Sequence, residues 1–307
     1  MSKVTVSLVK ELLNLKVLAG EKGLENVITE DEITSPGMEF AGFYKYFETS
    51  RVILIGSKEA TYLNELGYDL AYSRCEYICQ QNPPVIVFSR NVNVPEFVIE
   101  LGDKYNVPIL KSELRTTPLN SKLFGFLRDR LAERKNVHGV LLDINGMGTL
   151  IIGKSGIGKS ETALELVKRG HQLISDDRVD VYEKEVGTII GQAPELIAEY
   201  IEVRGVGIVN VVDMFGVGAY RETKKIRLVI ELEQWDQNKT YDRLGLDTKY
   251  ETFFHTELPK ITIPVLPGRN TAVLVEAAAM NAKLKYLGNN GAKNLTDRIN
   301  KVTRGEK

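Results

Sequence analysis

Residues 153–160 read Gly153-Lys154-Ser155-Gly156-Ile157-Gly158-Lys159-Ser160, a complete G-x-x-x-x-G-K-[ST] phosphate-binding loop. The three glycines let the backbone turn tightly enough for successive amide N–H groups to face one anion. Lys159 adds a mobile positive charge for β- and γ-phosphates, and the Ser160 hydroxyl suits a Mg²⁺ ligand. The flanks fit the same reading. Thr149-Leu150-Ile151-Ile152 is a short apolar run that predicts a strand. Ser160–Gly170 predicts a helix, with Ala163, Leu164 and Val167 on one face, Glu165 four residues before Arg169, and Gly170 as the stop. The helix N-terminus then points at the phosphates and adds its partial positive charge.

The chain has 307 residues, enough for two domains of ordinary size. Lys and Arg number 40 against 41 Asp and Glu, a net charge of −1. No basic run is interleaved with aromatics, which argues against a nucleic-acid-binding role. No apolar run reaches membrane-spanning length, so no membrane partner is expected. Met1–Val6 carries no signal-peptide pattern, and the cytoplasm is the expected compartment. Cys75 and Cys79 are the only cysteines; with no second Cys or His pair beside them, two buried thiols are expected rather than a metal clamp.

Residues 1–132 read as an α/β domain. Ser7–Leu18 has a helical stripe of Leu8, Leu12 and Leu15. Val52–Ile55, Val85–Phe88 and Val107–Leu110 predict buried strands, and Pro95–Tyr105 a helix. Strands separated by helices favour a mainly parallel sheet. Ser57, just after a strand, reads as a helix N-cap. Leu119–Arg134 is helical in pattern, and Ala132–Asn136 reads as a linker into a second domain, 133–307.

That second domain opens with Val140–Ile144, Asn145-Gly146 and Met147–Ile152, a strong hairpin signal. The strand feeding the phosphate loop is then antiparallel to its predecessor, unlike the usual doubly wound sheet. Leu173-Ile174, Val179–Tyr182, the segment between Gly187 and Gly191, Ile208–Val212 and Ile226–Leu232 predict further strands. Ala272–Leu287 predicts a helix, and a basic helical tail is expected from Ala292 onward.

Phosphoryl transfer needs charge neutralisation and a base for the acceptor. Asp176-Asp177 leaves a strand just after the loop helix, and alternation sends its two carboxylates in opposite directions, one to a metal and one to an acceptor hydroxyl; the plain alternative is a solvated turn. In Ile201–Ile208, Glu202 and Arg204 share a face, with Gly205 and Gly207 permitting close approach. Glu202 there is either an oxygen ligand for Mg²⁺ or half of a cross-strand ion pair. His138 is placed to donate or shuttle a proton, or is structural. Arg243 is a candidate donor to the transferring group, Pro264–Arg269 passes for an ordinary loop, and His171 and His255 read as structural.

Four segments together resemble the bacterial HPr kinase/phosphorylase family: Gly153–Gly170, Glu202–Asn210, Tyr241–Leu246 and Pro264–Met280. The resemblance implies a C-terminal catalytic domain with a mixed, strand-rich core similar to that of bacterial phosphoenolpyruvate carboxykinase, assembled as a homohexamer. It implies transfer of a phosphoryl group from ATP or pyrophosphate to a regulatory serine of HPr, and the reverse attack of inorganic phosphate on phosphoserine-HPr with release of pyrophosphate. It implies Mg²⁺ on Ser160 and Glu202, Asp177 as the carboxylate that takes and returns the serine proton, and His138, Lys159 and Arg243 as further catalytic residues. Residues 201–210, with Glu202, Arg204 and Gly205, resemble the segment used in both reactions, and Pro264–Arg269, with Pro264, Gly268 and Arg269, resembles the segment tied to dephosphorylation. Fructose 1,6-bisphosphate is an implied effector. Two departures stand out: Leu266, where relatives often carry a basic residue, and Val211-Val212-Asp213-Met214, a less apolar run than usual. A small-molecule kinase or carboxykinase-like enzyme on the same core, and a nucleotide-binding switch without transfer activity, are the competing readings.

Overall fold

A computed structural model of the chain describes residues 3–90, 92–239 and 249–291, with Lys293 and Thr296. The chain divides into two compact units, Met1–Ala132 and Glu133–Lys307. Among the described residues no helix is long and apolar enough to cross a membrane.

The first unit is built on a five-stranded sheet in the spatial order Lys16–Ala19, Ile109–Lys111, Ile86–Phe88, Val52–Ile55 and Ile33–Thr34. Every neighbouring pair is parallel except Lys16–Ala19, which runs antiparallel to its partner. Strand alternation splits the core between two faces. Ile53, Ile55, Ile86 and Phe88 pack with Cys75, Ile78 and Leu101 of the helices Tyr68–Gln80 and Glu96–Tyr105. Val52, Leu54 and Val87 pack on the other side, against Leu119, Leu123 and Leu127 of Thr116–Leu131. Those three leucines are spaced four apart and fully buried, and each contributes about 1.5–3 kcal/mol of transfer free energy. Two expectations are corrected. The helix expected over Ser7–Leu18 covers only Val6–Leu13, because Asn14 turns left-handed at φ 51° and the chain continues as the strand Lys16–Ala19. Ala132–Asn136 is not a loose connection: the strand Arg134–Ile144 has already begun, with Lys135 and Asn136 opposite Val181 and Asp180.

In the second unit Arg134–Ile144 and Met147–Gly153 form the expected hairpin, with Asn145 at φ 51° and Gly146 at φ 88°, the positive angles that a tight two-residue turn requires. Successive pairings then close on themselves. Arg134–Ile144 pairs with Arg178–Glu185, that strand with Thr188–Gln192, and that one with Thr223–Gln234, which runs parallel to Met147–Gly153. Leu141, Leu150, Val179, Ile189, Ile226 and Val229 fill the ring of strands. A β-carbon at Gly191 would sit 2.4 Å from Leu141 Cδ2, so any larger residue there forces the packed interior of the ring to shift. The opposite side of the sheet, with Val140, Leu142, Ile151 and Ile230, is covered by Ala163, Leu166 and Val167 of the helix Lys159–Lys168 and by Ala272, Val275 and Ala279 of the helix Thr271–Tyr286.

Three parallel strands, Met147–Gly153, Thr223–Gln234 and Thr256–Val265, end along one edge, with Leu232 opposite both Gly153 and Ile263. Carboxyl ends of parallel strands are where ligands of α/β proteins collect. One further expectation fails: Val211 and Val212 do not continue a strand. Asn210 stops the strand Gly207–Asn210 and caps a short helix, Val211–Phe215. The expected basic tail from Ala292 lies almost wholly outside the described residues.

Candidate active site

The loop leaves its strand at Gly153 and reaches its helix at Lys159, with Gly153, Gly156 and Gly158 at φ 150°, 79° and 98°. A β-carbon at Gly153 would lie 2.5 Å from the carbonyl oxygen of Leu232, and one at Gly156 would lie 2.8 Å from the Arg204 guanidinium. Gly158 precedes the helix and offers no side chain to cap it, so the first amides stay open to an anion. Of the other loop residues, Lys154 and Ser155 are exposed and Ile157 packs on the core beneath.

Lys159 is buried. Its ammonium donates to the carbonyls of Gly153 (3.0 Å) and Lys154 (3.2 Å) and lies 3.2 Å from His138 Nε2. Burial holds its pKa below the usual lysine range, against the opposing pull of Asp177 and Asp176. An ammonium can only donate, so His138 Nε2 is the acceptor and its proton sits on Nδ1, an assignment inferred from the hydrogen-bond network. Nδ1 accordingly faces acceptors on Asp177: its carbonyl at 3.0 Å and its carboxylate Oδ1 at 3.1 Å.

The adjacent carboxylates have separate surroundings. Asp176 is buried; it accepts from Ser160 Oγ at 2.9 and 3.1 Å and from the Glu202 backbone N–H at 3.0 Å. Burial raises its pKa, and these hydrogen bonds counter part of the shift. Asp177 takes the left-handed conformation, φ 62°, and its side chain is 68% exposed. Its carbonyl also accepts from the Gly139 N–H, which ties the turn to the first hairpin strand.

Glu202 is exposed on a two-stranded hairpin, Tyr200–Val203 with Gly207–Asn210, and Arg204 is exposed in its turn, while Ile201 and Val203 point into the core. Gly205, at φ 82°, lies in its turn. Asp176 joins the Ser160 hydroxyl to the Glu202 backbone N–H under the loop; a hydroxyl and a carboxylate, as Ser160 and Glu202 carry, are oxygen donors of the kind a hard cation takes. Among the described residues no cluster of three or more His, Cys, Asp or Glu side chains encloses a metal position.

The structure thus brings Gly153–Ser160, His138, Asp176, Asp177, Glu202 and Arg204 into one site. Pro264 lies in a strand ending at the same edge, and Gly268 (φ 83°) and Arg269 follow it, but among the described residues none of the three bonds to that group. Arg243 lies outside the described residues. His171 pairs with Glu276 (3.1 Å) and His255 with Glu183 (2.9 Å), away from these residues. Both cysteines are free and buried, and burial pushes the Cys79 thiol up to about 12, which leaves it unreactive. Asn210, the last residue of the Glu202–Asn210 stretch, also caps the helix Val211–Phe215, a role that the strand expected over Ile208–Val212 left out, although an Asn directly before Val-Val-Asp-Met-Phe is a helix-start signal.

Residues 4–127 match the family profile described as HPr Serine kinase N terminus, and residues 129–299 the HPr Serine kinase C-terminal domain. The chain is 46% identical over 299 residues to the HPr kinase/phosphorylase of Bacillus subtilis (strain 168), covering 97% of this chain and 96% of the relative. It is 46% identical over 302 residues to that of Halalkalibacterium halodurans, covering 98% and 97%. Among solved structures, the Hpr(Ser) kinase/phosphatase from Coxiella burnetii is 36% identical, covering 50% of this chain and 93% of its own, with a TM-score of 0.47.

Proposed function

The chain belongs to the HPr kinase/phosphorylase family, and on that footing we propose how its site works. It is a protein-serine kinase and phosphorylase. With a nucleotide as donor it phosphorylates a regulatory serine of HPr; with inorganic phosphate it removes the phosphoryl group as pyrophosphate. The amides of Gly153–Ser160 and the Lys159 ammonium bind the donor's phosphates. Asp177 takes the serine proton as the serine oxygen bonds to phosphorus and the donor's bridging P–O bond breaks. In the reverse direction a phosphate oxygen attacks, the serine O–P bond breaks, and Asp177 returns the proton to the serine oxygen. His138 holds the Asp177 carboxylate with Nδ1–H while its Nε2 positions Lys159. Ser160 and Glu202 hold Mg²⁺, with Asp176 orienting the Ser160 hydroxyl. When bound, the metal supplies neutralisation of charge on the phosphate oxygens.

The observation that carries this reading is the division of labour between Asp176, buried and committed to Ser160 and Glu202, and Asp177, exposed beside His138 and Lys159. A base must be reachable by a macromolecular hydroxyl, and of the two only Asp177 is. Incubation with HPr and ATP is expected to place phosphate on one serine, and added inorganic phosphate to remove it with stoichiometric pyrophosphate. ATP consumption that persists with HPr lacking that serine would instead favour a small-molecule kinase. Hexameric assembly and activation by fructose 1,6-bisphosphate are part of the same proposal; sedimentation and an effector titration of the kinase rate test them.

A further inference from the structure

The hairpin Tyr200–Asn210 has a latch at its base. Asn210 Oδ1 accepts from the N–H groups of Val212 (2.8 Å) and Asp213 (3.1 Å), and its Nδ2 donates to Glu199 Oε2 at 3.2 Å. Glu199 stands where the hairpin begins, in the left-handed conformation at φ 70°, and its carbonyl accepts from the Val211 N–H at 2.9 Å. A left-handed glutamate persists only when its surroundings hold it there. Asn210, which faces Tyr200 in the ladder, therefore also ties the hairpin's last residue to Glu199, the residue just before its first, and starts the helix Val211–Phe215. At the far end, the same hairpin delivers the Glu202 N–H to Asp176 and sets the Arg204 guanidinium against Gly156. Buried Ile201 and Val203 and half-buried Val209 also pack it on the core.

We infer that Asn210 is a positioning residue: its link to Glu199 fixes the height of Glu202 and Arg204 over the phosphate loop, and thereby the affinity of the Ser160–Glu202 pair for Mg²⁺. The inference rests on the proposal that Glu202 is a metal ligand. Supporting groups behind a ligand typically change metal affinity or activity by about 10- to 100-fold when altered.

The test reverses the polarity of the latch. In the full chain, Asn210→Asp keeps the helix cap, since Asp caps as well as Asn, but sets a second carboxylate against Glu199. Glu199→Gln alone keeps an acceptor for Asn210. Combined, the two restore the bond with donor and acceptor exchanged. Asn210→Asp is expected to raise the Mg²⁺ concentration for half-maximal kinase rate by about tenfold or more. It is also expected to speed amide exchange across residues 200–210, without metal, while exchange in Lys159–Lys168 stays as it was. Glu199→Gln is expected to do neither, and the double variant to recover both. Unchanged exchange in Asn210→Asp, or faster exchange with unchanged Mg²⁺ dependence, overturns the inference, as does failure of the double variant to recover. Glu202→Gln, measured alongside, separates the causes: if it too leaves the Mg²⁺ dependence unmoved, the metal role of Glu202 has failed and the inference falls with it; if it shifts that dependence and Asn210→Asp does not, only the latch has failed.

Discussion

Each unit of the molecule contains a buried strand that runs through a glycine into a helix, yet only one of the two junctions has the form of an anion site. In the first unit, Val52–Ile55 passes through Gly56 into Ser57–Glu65, and the Glu59 carboxylate folds back to accept from the Gly56 N–H at 3.0 Å. The helix carries its own anion. In the second, Met147–Gly153 passes through four intervening residues and Gly158 into Lys159–Lys168, and no side chain caps that start. The corresponding carboxylate, Glu161, does not close on the cap. The strand–glycine–helix order is common to both; what differs is whether the junction is long enough to curl round a ligand and whether a local carboxylate has already taken the amides. The expectation that Ser57 is the cap is corrected on the same ground: Gly56 is the cap residue, and Glu59 supplies the acceptor.

The largest effect expected from this contrast is at the acceptor end of the open junction. Asp177→Asn is expected to lower both the kinase and the phosphorylase rate by about 10²–10⁴-fold, the usual worth of a positioned base; full retention of phosphorylase activity would remove Asp177 from the mechanism. Next, Lys159→Met is expected to cost about 10²–10³-fold in transfer, as for loss of one preorganised charge, while raising the thermal stability of the free protein at neutral pH. The sign follows from burial. A lysine whose folded pKa is depressed costs stability while charged, and that cost is relieved as pH rises from the depressed value towards the unfolded one near 10.4. The Met variant is expected to lose this alkaline gain, which melting curves across pH measure.

Asp176→Asn is expected to act in a related way with a smaller rate effect. The folded pKa of Asp176 is raised, so its proton binds more tightly in the folded state, and stability falls as pH rises from the unfolded value, near 3.9, through the folded one. Removing the charge is expected to remove that fall while loosening Ser160, seen as a higher Mg²⁺ concentration for half-maximal rate. The smallest effect belongs to the closed junction: Glu59→Ala is expected to cost about 0.5–1 kcal/mol of stability and leave both reactions unchanged. A loss of activity there would mean that the first unit's junction contributes to catalysis after all.

Local rules made much of this visible in the amino-acid order. The phosphate loop, the Asn145-Gly146 hairpin and the Glu165–Arg169 pair all depend on residues within a few positions of one another. The ring of strands was not legible, because the parallel pairing of Met147–Gly153 with Thr223–Gln234 joins segments more than 70 residues apart. The parting of Asp176 from Asp177 was legible in direction but not in its cause. Alternation indicates opposite directions, but the left-handed turn at Asp177 is what swings its carboxylate out beside His138. Val211-Val212 favours a strand by propensity, and the Asn210 cap overrode it.

The loop-bearing strand is bonded on both sides, to Gly139–Ile144 and to Ile226–Leu232, so shifting it means tearing two ladders at once. Among the described residues, the strands of the hairpin Tyr200–Asn210 pair only with each other. Warming should loosen these two parts in sequence: the stiff half goes on gripping a nucleotide after the pliant half has stopped presenting Glu202. Retention of bound nucleotide then outlasts turnover, and the temperature gap between the two losses gauges how much firmer the bedrock is than the clamp resting on it.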